Sequence, residues 1–511
     1  MLAKCYSGAV CGVDARTVEI EVCSSNGAPQ FALVGLPDQA VKEAKDRVTQ
    51  AIWNSRFKKI EANITVNLAP ADVRKEGPVF DLPIAIALLA ATGKIPVDDL
   101  ADYALAGELA LSGVVRRVHA ILPIVLEMRR IGKKAVLVPA ENAQEASIVE
   151  GIDVYPVRTL REAADFLAHT LSIPPVYSDL ATLVANGQDF TEDFQDVKGQ
   201  ATAKRAIEIA VAGGHNLLMI GSPGSGKTML ARRIPSILPP LSPEEALEVT
   251  RVHSVAGELK VREALITRRP FRAPHHTVSD IGLLGGGTHP VPGEVSLAHR
   301  GVLFLDEFPE FKRSVLEVMR QPLEDGHVSI SRAAAACDFP SRFMLVAAMN
   351  PCPCGYSDDP KHECRCSHRQ ITAYRNRISG PLLDRIDIQL SLPPVSVDEL
   401  IDAPPGEPSA AIRTRILAAR AIQRQRFAEI PDVLCNADMR TRDLARHCHM
   451  DATAQKRLRM LISALDLSAR AYDRVLKVAR TIADLAGSET VCDEHVFEAS
   501  TLRELDRSYW G

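Results

Sequence analysis

The sequence predicts an α/β protein in three parts: a mixed α/β front, a nucleotide-binding α/β core and a helical end. Three observations predict it. Strand-like apolar runs alternate with helical ones over residues 1–170, a glycine-rich loop joins an apolar strand to a helix near 216–230, and from about 411 onward the pattern is helical with almost no strand signal. The chain has 511 residues, room for roughly three domains, and its 46% hydrophobic and 24% charged content is ordinary for a globular protein.

Taken in order, residues 1–170 hold the strand candidates "TVEIEV", "FALVGL", "ANITVNLAP" and "KAVLVPA" between helical runs such as "DQAVKEAKDRVTQAIW". Residues 171–190, "LSIPPVYSDLATLVANGQDF", carry Pro and Gly and read as a linker. A second α/β block, 191–393, has apolar strands at 217–220, 302–305, 343–348 and 386–390. A proline-rich linker, 394–410, leads into the helical unit 411–511. Asp14, Arg16 and Glu19 interrupt the start where a signal peptide needs an apolar core, and the run near 82–93 is shorter than the ~20 residues of a membrane crossing. The expectation is a cytoplasmic protein with no membrane partner, where clustered thiols point to metal before disulfide.

The net charge of −4 gives no sign of a nucleic-acid partner, and the distribution of charge is more informative. Residues 411–480 hold 15 Lys and Arg against 7 Asp and Glu, which suits either a solvated helical surface or an anionic partner.

The strongest motif is "NLLMIGSPGSGKTML". An apolar strand runs into Gly221-Ser222-Pro223-Gly224-Ser225-Gly226-Lys227-Thr228 and then a helix, the pattern of a phosphate-cradling loop. Lys227 would reach the β- and γ-phosphates of ATP, and the Thr228 hydroxyl would ligate Mg²⁺. About eighty residues on, "GVLFLDEF" ends a buried strand in Asp306 and Glu307, which suits Mg²⁺ for Asp306 and polarisation of the attacking water for Glu307. "FMLVAAMN" ends in Asn350, whose amide can orient that water or simply cap a turn. Arg385, in "SGPLLDRIDIQL", can neutralise transition-state charge on a neighbouring subunit's nucleotide or pair locally with Asp384 or Asp387.

Four of the eleven cysteines crowd into "NPCPCGYSDDPKHECRCSH" at 350–368. Cys352, Cys354, Cys364 and Cys366 form two Cys-x-Cys pairs nine residues apart, able to place four thiolates around a structural Zn²⁺. His362 or His368 could replace one sulfur; reduced free thiols and a redox pair are the alternatives. A four-cysteine shell leaves no open position, so such a zinc would staple rather than catalyse.

The order of P-loop, "LFLDE", "AAMNPCPCG" and "ISGPLLDRID", with "RPFRAPHHTVSDIGLLGGGTHPVPGEVSLAHRGVLFLDEFPEF" at 269–311, resembles magnesium-chelatase-like AAA+ ATPases of the ComM/YifB competence family over nearly the whole chain. The resemblance implies an AAA+ core with one insertion in its second helix (280–295) and another before the first sensor strand (324–339), both projecting toward a central pore. It implies a ring hexamer, a C-terminal lid with a second sensor arginine at Arg470 (Arg474 lies one turn away), and a lid that serves the adjacent subunit. The stretch 103–146 resembles the proteolytic domain of Lon-type proteases. Val79 stands where that family has its serine and Leu122 where it has its lysine, so the front is expected to be a proteolytically inactive interaction module. The family implies an ATP-driven DNA helicase or branch-migration motor, with single-stranded or branched DNA in the pore and recombination proteins as partners during natural transformation. Lys260, Arg262, Arg268, Arg269, Arg272 and Arg332 are the basic groups expected at the pore. The alternatives are a metal-insertion motor and an ATPase that remodels a protein partner.

Overall fold

The computed structural model describes residues 1–96, 100–185, 190–260, 263–287, 290–332, 335–357, 359–394, 404–430, 432–465, 469–503, 505 and 510. The first sheet is built from β1 (Leu2–Cys11), β2 (Asp14–Ser25), β3 (Gln30–Val34), β4 (Asn63–Ala69), β5 (Tyr103–Leu105), β6 (Ala135–Pro139) and β7 (Asp153–Val157), in the order β3-β4-β2-β1-β5-β6-β7. β1 and β2 form an antiparallel hairpin from Leu2↔Cys23 to Cys11↔Asp14. Helix α1 (Asp81–Ala91, "DLPIAIALLAA") has no polar face, and every one of its residues is buried under β1 and β2.

The second sheet comprises β8 (Leu217–Gly221), β9 (Phe271–Arg272), β10 (Val302–Leu305), β13 (Met344–Met349) and β14 (Ile388–Leu392) in the order β9-β10-β13-β8-β14, all parallel. Its central strands read "LLMIG", "VLFL" and "MLVAAM" and are buried throughout, as a parallel sheet covered on both faces requires. A hairpin of β11 (His327–Arg332) and β12 (Ala335–Pro340) precedes β13. Helices α2 (Ala201–Gly213), α5 (Ser409–Arg426) and α6 (Ala469–Leu485) share one core on one face of the sheet. No helix among the described residues is long and apolar enough to cross a membrane.

Two segments differ from expectation. Within 171–190, residues Leu180–Ala185 are helical, and Ile173, Val176, Leu180 and Leu183 pack on the first core. Their apolar side chains outweigh the Pro and Gly that suggested a linker. Helix α4 (Pro243–Ala256), carried by the second block, sends Ala246 and Val249 into the first core, beside Leu241 and Leu265. The Ala120 N–H donates to Ser254 O (3.1 Å), and Arg117 Nη2 donates to Leu259 O (2.6 Å). The expected linker 394–410 lies outside the described residues over 395–403.

Candidate nucleotide site and cysteine cluster

The strand order brings the carboxyl ends of β8, β13 and β10 side by side, the edge where parallel sheets hold ligands. Gly224 (φ +80°) and Gly226 (φ +87°) adopt left-handed backbone as the loop after β8 turns into helix α3 (Lys227–Arg233), a conformation glycine takes without strain. Lys227 is buried, and its Nζ donates to Gly221 O (2.6 Å), Ser222 O (3.0 Å) and Asn350 Oδ1 (3.2 Å). Burial pushes its pKa down, and the Asp306 charge partly opposes that shift. Ser222 Oγ is buried with no hydrogen-bond partner. Thr228 Oγ1 donates to Asp306 Oδ2 (2.7 Å), and Asp306 Oδ1 accepts from the Glu307 N–H (2.9 Å). A lysine coiled back on its own loop, an unsatisfied hydroxyl and a Thr–Asp pair suit a triphosphate with Mg²⁺.

Glu307 sits at φ +52° at the end of β10, and its carboxylate meets a residue that sequence reasoning missed: His276, with Nδ1 3.0 Å from Oε2. His276 follows β9, on the side of β10 away from β13 and β8. Its ring lies tilted against that of His275 (4.1 Å between centroids) and meets Phe311 edge-on (6.4 Å). The only available signal was the "HHT" run just before the glycine-rich insertion.

The two predicted arginines lie elsewhere. The Arg385 carbonyl accepts from Asn216 Nδ2 (2.8 Å), and Asn216 precedes β8, so the strand's length, about 16 Å, separates it from the phosphate loop. The competing local pairs of Arg385 are corrected. Its Nη2 pairs with Glu324 and its Nη1 donates to Pro381 O (2.6 Å), while Asp387 faces His215 and Arg474, and Asp384 faces Arg470 at 3.6 Å. Arg385 and Arg474 line one cavity of about 960 Å³ between the amino-terminal sheet edge and the last helices.

Two of the arginines expected at a pore are corrected as well. Arg269 is tied to Pro239 O, Arg300 O and Glu245, and Arg272 is clamped between Glu294 and Glu258. Both brace the core. Lys260 and Arg268 are exposed, the latter over the Phe190 ring (5.5 Å), whereas Arg262 and the side chain of Arg332 lie outside the described residues.

The sulfur atoms of Cys352, Cys354, Cys364 and Cys366 all lie within 4.8 Å of one another. Three pairs measure 3.3, 3.7 and 3.7 Å, against the roughly 3.8 Å that follows from tetrahedral Zn–S bonds of about 2.3 Å. Backbone N–H groups of Tyr356 and Arg365 hold the Cys354 thiol down at about 6. His362 instead pairs with Asp359 (3.2 Å) and lies tilted against the Tyr356 ring, outside the cluster. Gly355, inside the cluster's first turn, approaches the phosphate loop so closely that a Cβ there would stand 2.7 Å from Pro223 Cδ. In the first sheet's domain Val79 and Leu122 are both buried, aliphatic and without nucleophilic chemistry.

Three family descriptions match in succession: subunit ChlI of Mg-chelatase over 20–142, magnesium chelatase subunit ChlI over 193–400, and its C-terminal part over 406–503. The competence protein ComM of Haemophilus influenzae is 45% identical over 510 residues, 99% of this chain and 98% of that protein. The chain belongs to the ComM/YifB family of magnesium-chelatase-like AAA+ proteins. Another member, YifB of Salmonella typhimurium, is 43% identical over 509 residues, 99% of this chain and 98% of that protein. Lon protease 2 of Bacillus subtilis is 27% identical over 125 residues, 24% of this chain and 22% of that enzyme.

Proposed function

We propose that this ComM/YifB member is an ATP-hydrolysing ring motor that moves branched or single-stranded DNA in recombination. The observation that carries the reading is the division of charge across the second sheet. Lys227, Thr228, Asp306 and Asn350 meet at its carboxyl edge, and Arg385 stands at the other edge with Arg474. A nucleotide held by one subunit therefore needs a neighbour's arginines, which is the logic of a ring.

In this mechanism the loop 221–228 wraps the phosphates and Lys227 swings from its carbonyls to them. Mg²⁺, held by Thr228 with Asp306 beside it, would screen the phosphate charge. Glu307 polarises the water, Asn350 orients it, and Arg385, with Arg470 from the lid, stabilises the departing charge in the next subunit. Cys352, Cys354, Cys364 and Cys366 would hold a zinc ion that braces the 350–368 insertion and leaves no open position for catalysis. We assign 1–170 to a Lon-like module that handles partners, 191–393 to the motor and 411–511 to the lid, in a cytoplasmic protein. The name of the Haemophilus relative, competence, favours DNA as the cargo. A protein cargo is the second reading, favoured by the Lon-like likeness.

The test is ATP turnover with no DNA, single strands, duplex and four-way junctions, alongside strand displacement. Lys227→Ala should lose nucleotide binding and turnover; Glu307→Gln should bind ATP yet not turn it over. Hydrolysis indifferent to every DNA, with no displacement, would sink the DNA reading.

A further inference from the structure

Eleven cysteines are free in this chain, and four are accounted for by the 352–366 cluster. Among the other described cysteines, one pair is in contact. Cys11, the last residue of β1, and Cys337, in β12, are 326 positions apart in sequence, with their sulfurs 3.9 Å apart. That is close to van der Waals contact for two sulfurs.

The backbones meet there too. The Gly12 N–H donates to the Cys337 sulfur, and a Cβ added at Gly12 would stand 3.0 Å from Asp338 O. Gly12 holds φ +63°, so the tip of the β1–β2 hairpin presses on the β11–β12 hairpin without a side chain between them. Asp338 is fixed in turn, accepting from Ser329 Oγ across the hairpin (2.6 Å).

We propose that Cys11 and Cys337 are an oxidisable pair, a modification site that ties the front sheet to the hairpin leading into Asn350. A disulfide needs the sulfurs to close from 3.9 Å to about 2.05 Å, within reach of side-chain rotation and a small shift of either hairpin. The co-reactant is a small-molecule disulfide such as oxidised glutathione. The partly exposed Cys11 thiolate attacks one glutathione sulfur, the S–S bond breaks, and one glutathione thiolate leaves. The Cys337 thiolate then attacks Cys11 Sγ and expels the second glutathione thiolate. Two protein thiols are oxidised, one glutathione disulfide becomes two thiols, and the two protein protons pass to the departing thiolates. The order follows from burial, which pushes the Cys337 thiol up and disfavours it as first attacker.

The tether would close a loop through the front sheet and the whole motor up to β12. The β11–β12 hairpin could then no longer move apart from β1. Because β13 follows four residues later and ends one residue before Asn350, the constraint reaches the nucleotide site through a single strand.

The experiment treats the folded, full-length protein with oxidised glutathione, blocks residual thiols, and maps peptides without reduction. Wild type should yield a Cys11–Cys337 cross-linked peptide, lost on dithiothreitol treatment and absent from Cys11→Ser and Cys337→Ser. Turnover should fall at least about threefold on oxidation in wild type, recover on reduction, and stay level in Cys11→Ser, which keeps the 352–366 cysteines. The peptide map is independent of any activity, so it stands whether or not DNA is the cargo. A map showing other cysteines glutathionylated but no Cys11–Cys337 link overturns the site. A link that leaves turnover unchanged overturns the constraint on the motor.

Discussion

Replacing Gly355 by alanine should weaken nucleotide binding although no atom of Gly355 belongs to the phosphate loop. The residue holds φ +90°, where an L side chain costs about 1–2 kcal/mol. Its new Cβ would stand 2.7 Å from Pro223 Cδ and 2.8 Å from Cγ, about 1 Å inside ordinary carbon contact. The proline ring cannot rotate aside, so the loop backbone must yield, for a combined strain of about 2–4 kcal/mol. If about 1.4 kcal/mol of this strain is expressed as displacement of the loop, ATP affinity falls about tenfold. The control is Gly132→Ala, at φ +79° with nothing within 4 Å of its Cβ, which carries backbone strain alone. Chemical denaturation gives each variant's stability, and titration with a fluorescent ATP analogue gives its affinity. Gly132→Ala should lose stability and bind normally. A folded Gly355→Ala protein that binds ATP as tightly as wild type would refute the coupling between the cysteine insertion and the loop.

Three other outcomes are expected. Protein purified without chelator should carry one zinc per chain, and Cys354→Ser should lose most of it, with elemental analysis as the measurement; equal metal content in both would remove the cysteines as ligands. His276→Ala should raise DNA-free turnover about three- to fivefold, because it frees Glu307 from a partner on the far side of β10 and a half-exposed pair is worth at most about 1 kcal/mol; a slower variant would mean that His276 assists the base instead. Glu248 is held down at about 2, chiefly by its His299 hydrogen bond and then by Arg300, against burial. Its folded value lies below its ordinary 4.5, so its contribution is complete above about pH 4.5 and vanishes as pH falls toward 2. With the side chain 43% exposed, solvent screening leaves about 1 kcal/mol. Wild type should therefore melt above Glu248→Gln near neutrality and lose that margin across this window.

Local chemistry was the most legible part of the sequence. The loop 221–228, the Asp306–Glu307 pair and the spacing of the four cysteines are contiguous patterns, so residue type and spacing alone point to them. What depended on strand order was not legible. His276 and Glu307 are 31 positions apart and meet because β9 and β10 are neighbours. Charge misled for a related reason. Arg269 and Arg272 look like pore cations until Glu245, Glu258 and Glu294 are seen across from them, and nothing in a linear pattern announces a partner on another element. Glu324, the partner of Arg385, was hidden in the same way.

Helix α4 raises a question of ancestry. Its capping box (Ser242 with Glu245) and its apolar residues Ala246 and Val249 are encoded beside the second sheet, yet those apolar residues complete the interior of the front half. The front is thus not a removable accessory. A version trimmed of residues 1–170 would present Leu241, Ala246, Val249 and Leu265 to water, an adhesive face that favours aggregation. Shuffling of the two halves between genes would have to carry this helix and its partner surface together, so the two halves are expected to be inherited as one piece.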